Sequence, residues 1–374
     1  MKKEFCMMAI GLLLAGCSAD EEIANVQTSE TNAISFNVVS NNPQTKATPI
    51  TPTTFKDHPF EVFAFKDGEH FMGRHEEGSW KSDGVEIKYQ NNGWTYKNPD
   101  DMLYWPHISP LDFYALSPSD NLVITYPTIQ GDSQTFTYTV NDDYGENGSI
   151  GYQNVDVMYA LAKNQKKSDL LNGVVTLHFK HALSQVVFKA KKNSDQMQVR
   201  IQNMKICTVP TSGTFTFPAK ADEKGTWELG LPGKEYRVGL ELGEEGYIDV
   251  NHTSTPVNLS MNKPMLFIPA KLNPWDTGHS VNQAYELGES YLKITCKIWQ
   301  STETSGDYFV GSASEYGVIY VPFGADWDQG KRYVYTLCFG AGYDENGKEY
   351  DIVPITFEAE VEDWLETSVD KGDF

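Results

Sequence analysis

The sequence predicts an all-β protein built as two β-sandwiches in tandem. Short runs of alternating apolar and polar residues recur along the chain, punctuated by Gly, Pro, Asn and Asp. Aromatic residues make up 13% of the chain, with 20 Tyr beside 30 Gly and 18 Pro, a balance that suits strands and turns. No segment keeps an amphipathic helical period beyond about two turns. Many short strands joined by such turns read as sandwiches.

The first strand is Ile34-Ser35-Phe36-Asn37-Val38, whose strict alternation puts Ile34, Phe36 and Val38 on one face. Phe60 to Phe65 follows, ending at Lys66-Asp67-Gly68. Ile87 to Tyr89 and Trp94 to Tyr96 flank Gln90-Asn91-Asn92-Gly93, where Asn-Gly favours a tight hairpin. Leu111 to Leu116 stops at Ser117-Pro118, Phe136 to Val140 alternates again, and Val157 to Ala162 closes the first group.

Residues 164–173, "NQKKSDLLNG", form the most polar break in mid-chain, and the domain boundary is expected there. Beyond it Val175, Leu177 and Phe179 share a face, but after His181 the apolar phase shifts, as a bulge or short helical turn would require. Further strands are expected at 198–205, 214–217, 265–268, 291–299, 317–321, 332–339 and 355–361. The organisation is therefore a leader over 1–16, a tether over 17–31, an N-terminal sandwich over 32–168 and a C-terminal sandwich over 169–374.

The leader follows from charge and hydropathy. Lys2 and Lys3 precede an apolar run from Met7 to Leu14, which is too short to span a membrane. Leu14-Ala15-Gly16-Cys17 then resembles the lipobox of bacterial lipoproteins. That resemblance implies a diacylglyceryl group on the Cys17 thiol and acylation of the new amine, and two or more chains make a stable anchor. Asp20, Glu21 and Glu22 follow at once and resemble a surface-export tag. Residues 18–31 carry too little apolar surface to offset the entropy of ordering, hence the tether.

Composition narrows the function. Net charge is −21, from 51 acids against 30 bases, so nucleic acid is a poor partner. Beyond the leader, Cys207, Cys296 and Cys338 accompany Cys17. They have no metal-ligand or CxxC spacing and are expected as buried thiols in strands. His178 and His181 are an odd number apart, which puts them on opposite faces of a strand and argues against a shared metal. Asp142 to Gly148 and Asp344 to Gly347 suggest calcium loops but lack the full ligand ladder, and acidic hairpin turns explain both. No nucleophile elbow, P-loop, zinc-protease or paired-carboxylate motif is visible, and no cofactor is called for. Of the tryptophans, Trp105 and Trp364 sit beside strand patterns where packing, not sugar stacking, is the default.

Several strings together resemble one family. "TLHFKHALSQVVFKAK" (176–191), "YWP" with "LDFYALSP" (104–106 and 111–118), "LFIPAK" (266–271) and "VEDW" (361–364) are similar in order and spacing to the fimbrillin-like lipoproteins of Bacteroidetes. Lys331 to Tyr335, preceded by Trp327, looks like the family's penultimate strand. The resemblance implies transthyretin-like sandwiches and a pilin role as stalk, tip or anchor of a surface fimbria, without catalysis. It also implies export as a lipoprotein to the outer membrane and loss of the N-terminal strand to a trypsin-like protease. Subunits would then join by strand exchange.

Burying Ile34, Phe36 and Val38 is worth about 5–9 kcal/mol before entropy is subtracted, so a groove emptied of them should be refilled. The family's cleavage site is commonly Arg, yet Arg74, the first of the four arginines, lies well past that strand. Lys46, before Ala47 in "PQTKATP", is the first basic residue after Cys17 and is the expected site. A second reading is a surface glycan-binding lipoprotein, and a third, a polysaccharide-acting enzyme, ranks last. The host or bacterial ligand is not legible.

Overall fold

The computed structural model describes residues 32–40, 55–73, 84–119, 134–139, 155–260, 265–301, 306–340, 342–350 and 355–363. The expected leader, tether, Cys17, Lys46, Ala47, the 142–148 loop and Trp364 lie outside them.

The first part of the chain supplies β1 (Ser35–Ser40), β2 (Phe60–Lys66), β3 (Glu69–Met72), β4 (Val85–Gln90) and β5 (Gly93–Tyr96). Then come β6 (Leu111–Ser117), β7 (Thr135–Thr139), β8 (Met158–Gln165) and β9 (Val174–His181). All but β7 form one sheet in the order β1-β9-β8-β6-β2-β4-β5, with β3 beside β2. The sheet rolls until β1 and β5 meet across its open side. Inside the roll, one parity of each strand makes a core: Phe60 and Val62, Phe113 and Ala115, Met158 and Ala160, Val175 and Leu177.

The other parity of β2, β6 and β8 is buried too, through Phe63, Tyr114 and Tyr159. This explains why those strands read as unbroken apolar runs. After β10 (Ser184–Lys192) and β11 (Met197–Pro210), the chain supplies β12 (Ser212–Thr216) and β13 (Thr226–Leu229), which join β7 in a three-stranded sheet of order β13-β12-β7 that covers this outer face. Tyr114 meets Phe217 at 5.2 Å and Tyr159 meets Phe215 at 4.7 Å between ring centroids. The Phe136-to-Val140 strand expected within the first sandwich is thus a clasp between the two halves.

The polar stretch 164–173 does not part the sheets. It holds two short 3-10 turns that carry the chain from β8 to β9 inside one sheet, so the strand pairing does not break at the expected boundary between 168 and 169. The chain leaves that sheet at Ala182 and Leu183, both fully buried, where the apolar phase shifts. The physical reason is that β9 still supplies Val175, Leu177 and Phe179 to the first core.

The second half of the chain adds β14 (Pro232–Arg237), β15 (Ile248–Asp249), β16 (Val257–Asn258), β17 (Met265–Phe267) and β18 (Lys271–Pro274). One short helix, α1 (Val281–Leu287), precedes β19 (Glu289–Ser301), β20 (Gly306–Val310), β21 (Gly317–Pro322), β22 (Ala325–Asp326), β23 (Lys331–Phe339) and β24 (Thr356–Asp363). One sheet runs β16-β10-β23-β24, with β17 on β10, and the other runs β14-β11-β19-β18-β22. Val186 and Phe188 of β10 face Ile201, Met204 and Ile206 of β11 and Ile294 of β19. A bulge between Ile201 and Asn203 resets the parity of β11 so that residues on both sides of it reach that core. Cys207, Cys296 and Cys338 are free and buried in β11, β19 and β23, as expected. Among the described residues no helix is long and apolar enough to cross a membrane.

Candidate strand-exchange site

The first strand forms where its alternation predicts. Ile34 is 0% and Phe36 2% exposed, and Val38 packs half-buried on the same core. Phe36 lies at 5.7 Å from Phe113, 6.4 Å from Tyr96 and 6.5 Å from Phe60 between ring centroids. Edge-to-face aromatic contacts add to plain area burial.

The backbone is held on two sides. Along its length β1 pairs parallel to β9, from Ser35 opposite Val174 to Ser40 opposite Phe179. At its start it is tied to the 103–105 segment. Ile34 N donates to Leu103 O, and Trp105 N to Asn32 O, each at 2.9 Å. The Tyr96 hydroxyl donates to Ile34 O at 2.8 Å. Burial pushes that phenol's pKa up, so it remains a neutral donor throughout the physiological range. Trp105 is buried against Phe113 and donates through Nε1 to Gly173 O at 3.2 Å, which bears out the packing reading of that residue. Lys167 Nζ reaches Asn32 Oδ1 at 3.2 Å.

Chemically the site is a slot with an apolar floor and a row of backbone partners, built to hold an extended segment. Lifting β1 out would uncover Phe60, Tyr96 and Phe113 and unpair one edge of β9. The sequence singled out Ile34, Phe36 and Val38, and the structure brings all three to this slot. Tyr96, Leu103, Trp105 and β9 as the partner were not foreseen, because no local signal marks them.

The other candidates separate. His178 is exposed on the outer face of β9, while His181 turns the opposite way to Asp156 at 2.9 Å. No cluster of His, Cys, Asp or Glu that could hold a metal occurs among the described residues. The Asp344 to Gly347 stretch is a turn closed on itself, with Gly347 N donating to Asp344 O at 3.1 Å.

Among solved structures, a fimbrial protein from Bacteroides vulgatus is 17% identical, covers 89% of this chain and 99% of its own, and superposes with a TM-score of 0.61. A candidate cell adhesion protein from Bacteroides uniformis is 13% identical over 90% and 100%, with a TM-score of 0.44. The tip fimbrial protein Mfa3 from Porphyromonas gingivalis is 9% identical over 82% and 94%, with a TM-score of 0.36. The first of these shares the fold. No curated protein matches the chain. Residues 45–364 match the fimbrillin-like family, and with most of its length inside that match the chain belongs to the fimbrillin-like family.

Proposed function

We propose that this chain is a structural subunit of a cell-surface fimbria, not a catalyst, and that it joins other fimbrial subunits by strand exchange. The observation that carries the reading is the first strand. It is seated in an apolar slot, yet it continues into a Pro- and Thr-rich segment that carries Lys46. The family match begins at residue 45 and leaves β1 outside, which supports a body that persists once that strand has gone.

In this reading the chain reaches the outer membrane as a lipoprotein acylated on Cys17. A trypsin-like protease then cuts between Lys46 and Ala47. One cut releases both the lipid and the Ile34-Phe36-Val38 strand, and a neighbour's strand fills the vacated slot.

The test uses recombinant protein starting at Ser18, treated with trypsin and followed by mass spectrometry and size-exclusion chromatography. Loss of the 18–46 peptide followed by growth of oligomers is expected, while Lys46→Gln stays whole and monomeric. Polymerisation of the mutant like the parent would refute the role of Lys46. Separately, fatty-acid labelling of cells should vanish in Cys17→Ala, and undiminished labelling would remove the anchor from the scheme.

A further inference from the structure

The outer face of the chain's second half carries a cleft that strand exchange does not use. On β19, Leu292 and Ile294 enter the core, while Tyr291 and Lys293 turn to the opposite face. Residues of helix α1 and of the Asp344–Gly347 turn line the same space above them. This space has a volume of about 850 Å³, the size of a site for a small ligand.

Both walls are fixed before any ligand arrives. Ser280 and Gln283 form a reciprocal capping box at the start of α1, and Gly288, at φ 72°, ends the helix. In the turn, the Asp344 carboxylate accepts from Asn346 N and Lys348 N, both at 2.9 Å. Gly347, at φ 80°, passes so close to the 277–279 loop that a Cβ would lie 1.9 Å from Thr277 O. Val281 N donates to Glu345 O at 3.0 Å and laces wall to wall.

The floor is aromatic and carries an ion pair. Tyr291 lies 5.8 Å from Trp275 and 5.9 Å from Tyr320 between ring centroids. Glu235 accepts from Lys205 Nζ at 2.5 Å on one oxygen and from Lys293 Nζ at 2.8 Å on the other. With Glu345 on the rim, the lining carries two carboxylates and one ammonium group, while Lys205 reaches Glu235 from outside it. Just beneath, Thr208 holds a left-handed φ of 60°, rare for a β-branched residue, and its carbonyl accepts from Ser290 Oγ at 2.7 Å. That contact sets the backbone immediately before Tyr291.

We propose that this cleft binds an uncharged oligosaccharide. Sugar rings offer an apolar C–H face and fixed rows of hydroxyls. The cleft offers tyrosine rings, the amides of Asn282 and Asn346, and carboxylate and ammonium groups held in place to meet them. With two carboxylates and one ammonium group in its lining, on a chain of net charge −21, it gives no pull on phosphate, sulfate or acidic sugars. A peptide adding as a strand is disfavoured, because β19 is paired on both sides here, by β11 and by β21. The inference does not rest on strand exchange, since the cleft is complete in one chain.

The test is affinity electrophoresis of the unpolymerised chain in native gels cast with mannan, galactan, xylan or starch. Retardation by at least one polysaccharide is expected. Tyr320→Ala and Asn282→Ala should each raise the apparent Kd about tenfold, the loss of one good contact. Trp299→Ala should leave it unchanged, because that ring, further along β19, stacks on Tyr308 of β20 outside the cleft. An unchanged thermal midpoint confirms that a variant is folded. If Tyr320→Ala fails that check, Asn282→Ala, on the exposed side of α1, decides the matter. Mobility unaffected by all four gels, or binding lost only in Trp299→Ala, would overturn the proposal.

Discussion

Phe36 has the most to lose on truncation, being almost wholly enclosed by three aromatic rings. Phe36→Ala is expected to lower the unfolding free energy by about 3–5 kcal/mol, read from urea midpoints, and Val38→Ala by less because it is only half-buried. A loss below about 1 kcal/mol for Phe36→Ala would mean that the strand is not seated as described. Glu235 sets a pH dependence. Burial opposes its ionisation, but Lys205 and Lys293 outweigh that and hold its carboxyl below the usual carboxylate range. A depressed folded pKa stabilises the fold above the unfolded value, and the contribution fades as pH falls through the folded one. The midpoint difference between parent and Glu235→Gln should therefore be largest near neutrality and close below about pH 4. A gap that widens on acidification would contradict the sign. Single-residue alternation made Ile34, Phe36 and Val38 readable in advance. The cleft was not readable, since Glu235, Tyr285, Tyr291, Tyr320 and Asn346 come from separate elements with no common spacing.

Strand-length patterns transferred well wherever they were long and half-buried. The phase shift after His181 marks the point where the chain changes sheets, and the penultimate strand runs where the Lys331 to Tyr335 string suggested. The hairpin at 90–93 turns one residue earlier than Asn-Gly predicts. Asn91 and Asn92 both take positive φ, 53° and 61°, and Gly93 already belongs to β5. Asn tolerates that region almost as well as Gly, so the pair competes with the dipeptide beside it. Strands as short as Ile248–Asp249, Val257–Asn258 and Ala325–Asp326 have no period to read. The pairing of β7 with β12 joins residues far apart in sequence, which local patterns cannot report. That clasp has a measurable effect. Trp227 Nε1 donates to Ala182 O at 2.9 Å, and Gln329 Nε2 donates to Gly225 O at 2.6 Å, alongside the aromatic cluster between the halves. A cut within 164–173 should leave both fragments in one size-exclusion peak in native buffer, parting only in denaturant. Two resolved native peaks would show that the clasp does not hold.

Across the whole molecule, net charge bears on the proposed assembly. The full chain carries a net charge of −21, most of it beyond residue 46, so subunits repel one another, and exposed charges are screened as ionic strength rises. Oligomer growth after trypsin should therefore quicken severalfold between about 10 mM and about 150 mM salt, followed by light scattering. A rate that falls with salt would point to attraction between opposite charges at the joint. The slot itself has a mechanical consequence. β1 lies lengthwise along β9, six residues in register over about 20 Å. A neighbour's strand laid there and drawn along its own axis would be loaded in shear, with every rung of the ladder straining together and none peeling first. Nor could it creep. A slip of one residue turns its apolar face outward, and a slip of two drags a ring the size of Phe36 past Phe113 and Tyr96. Such a joint would hold like a pawl in a ratchet.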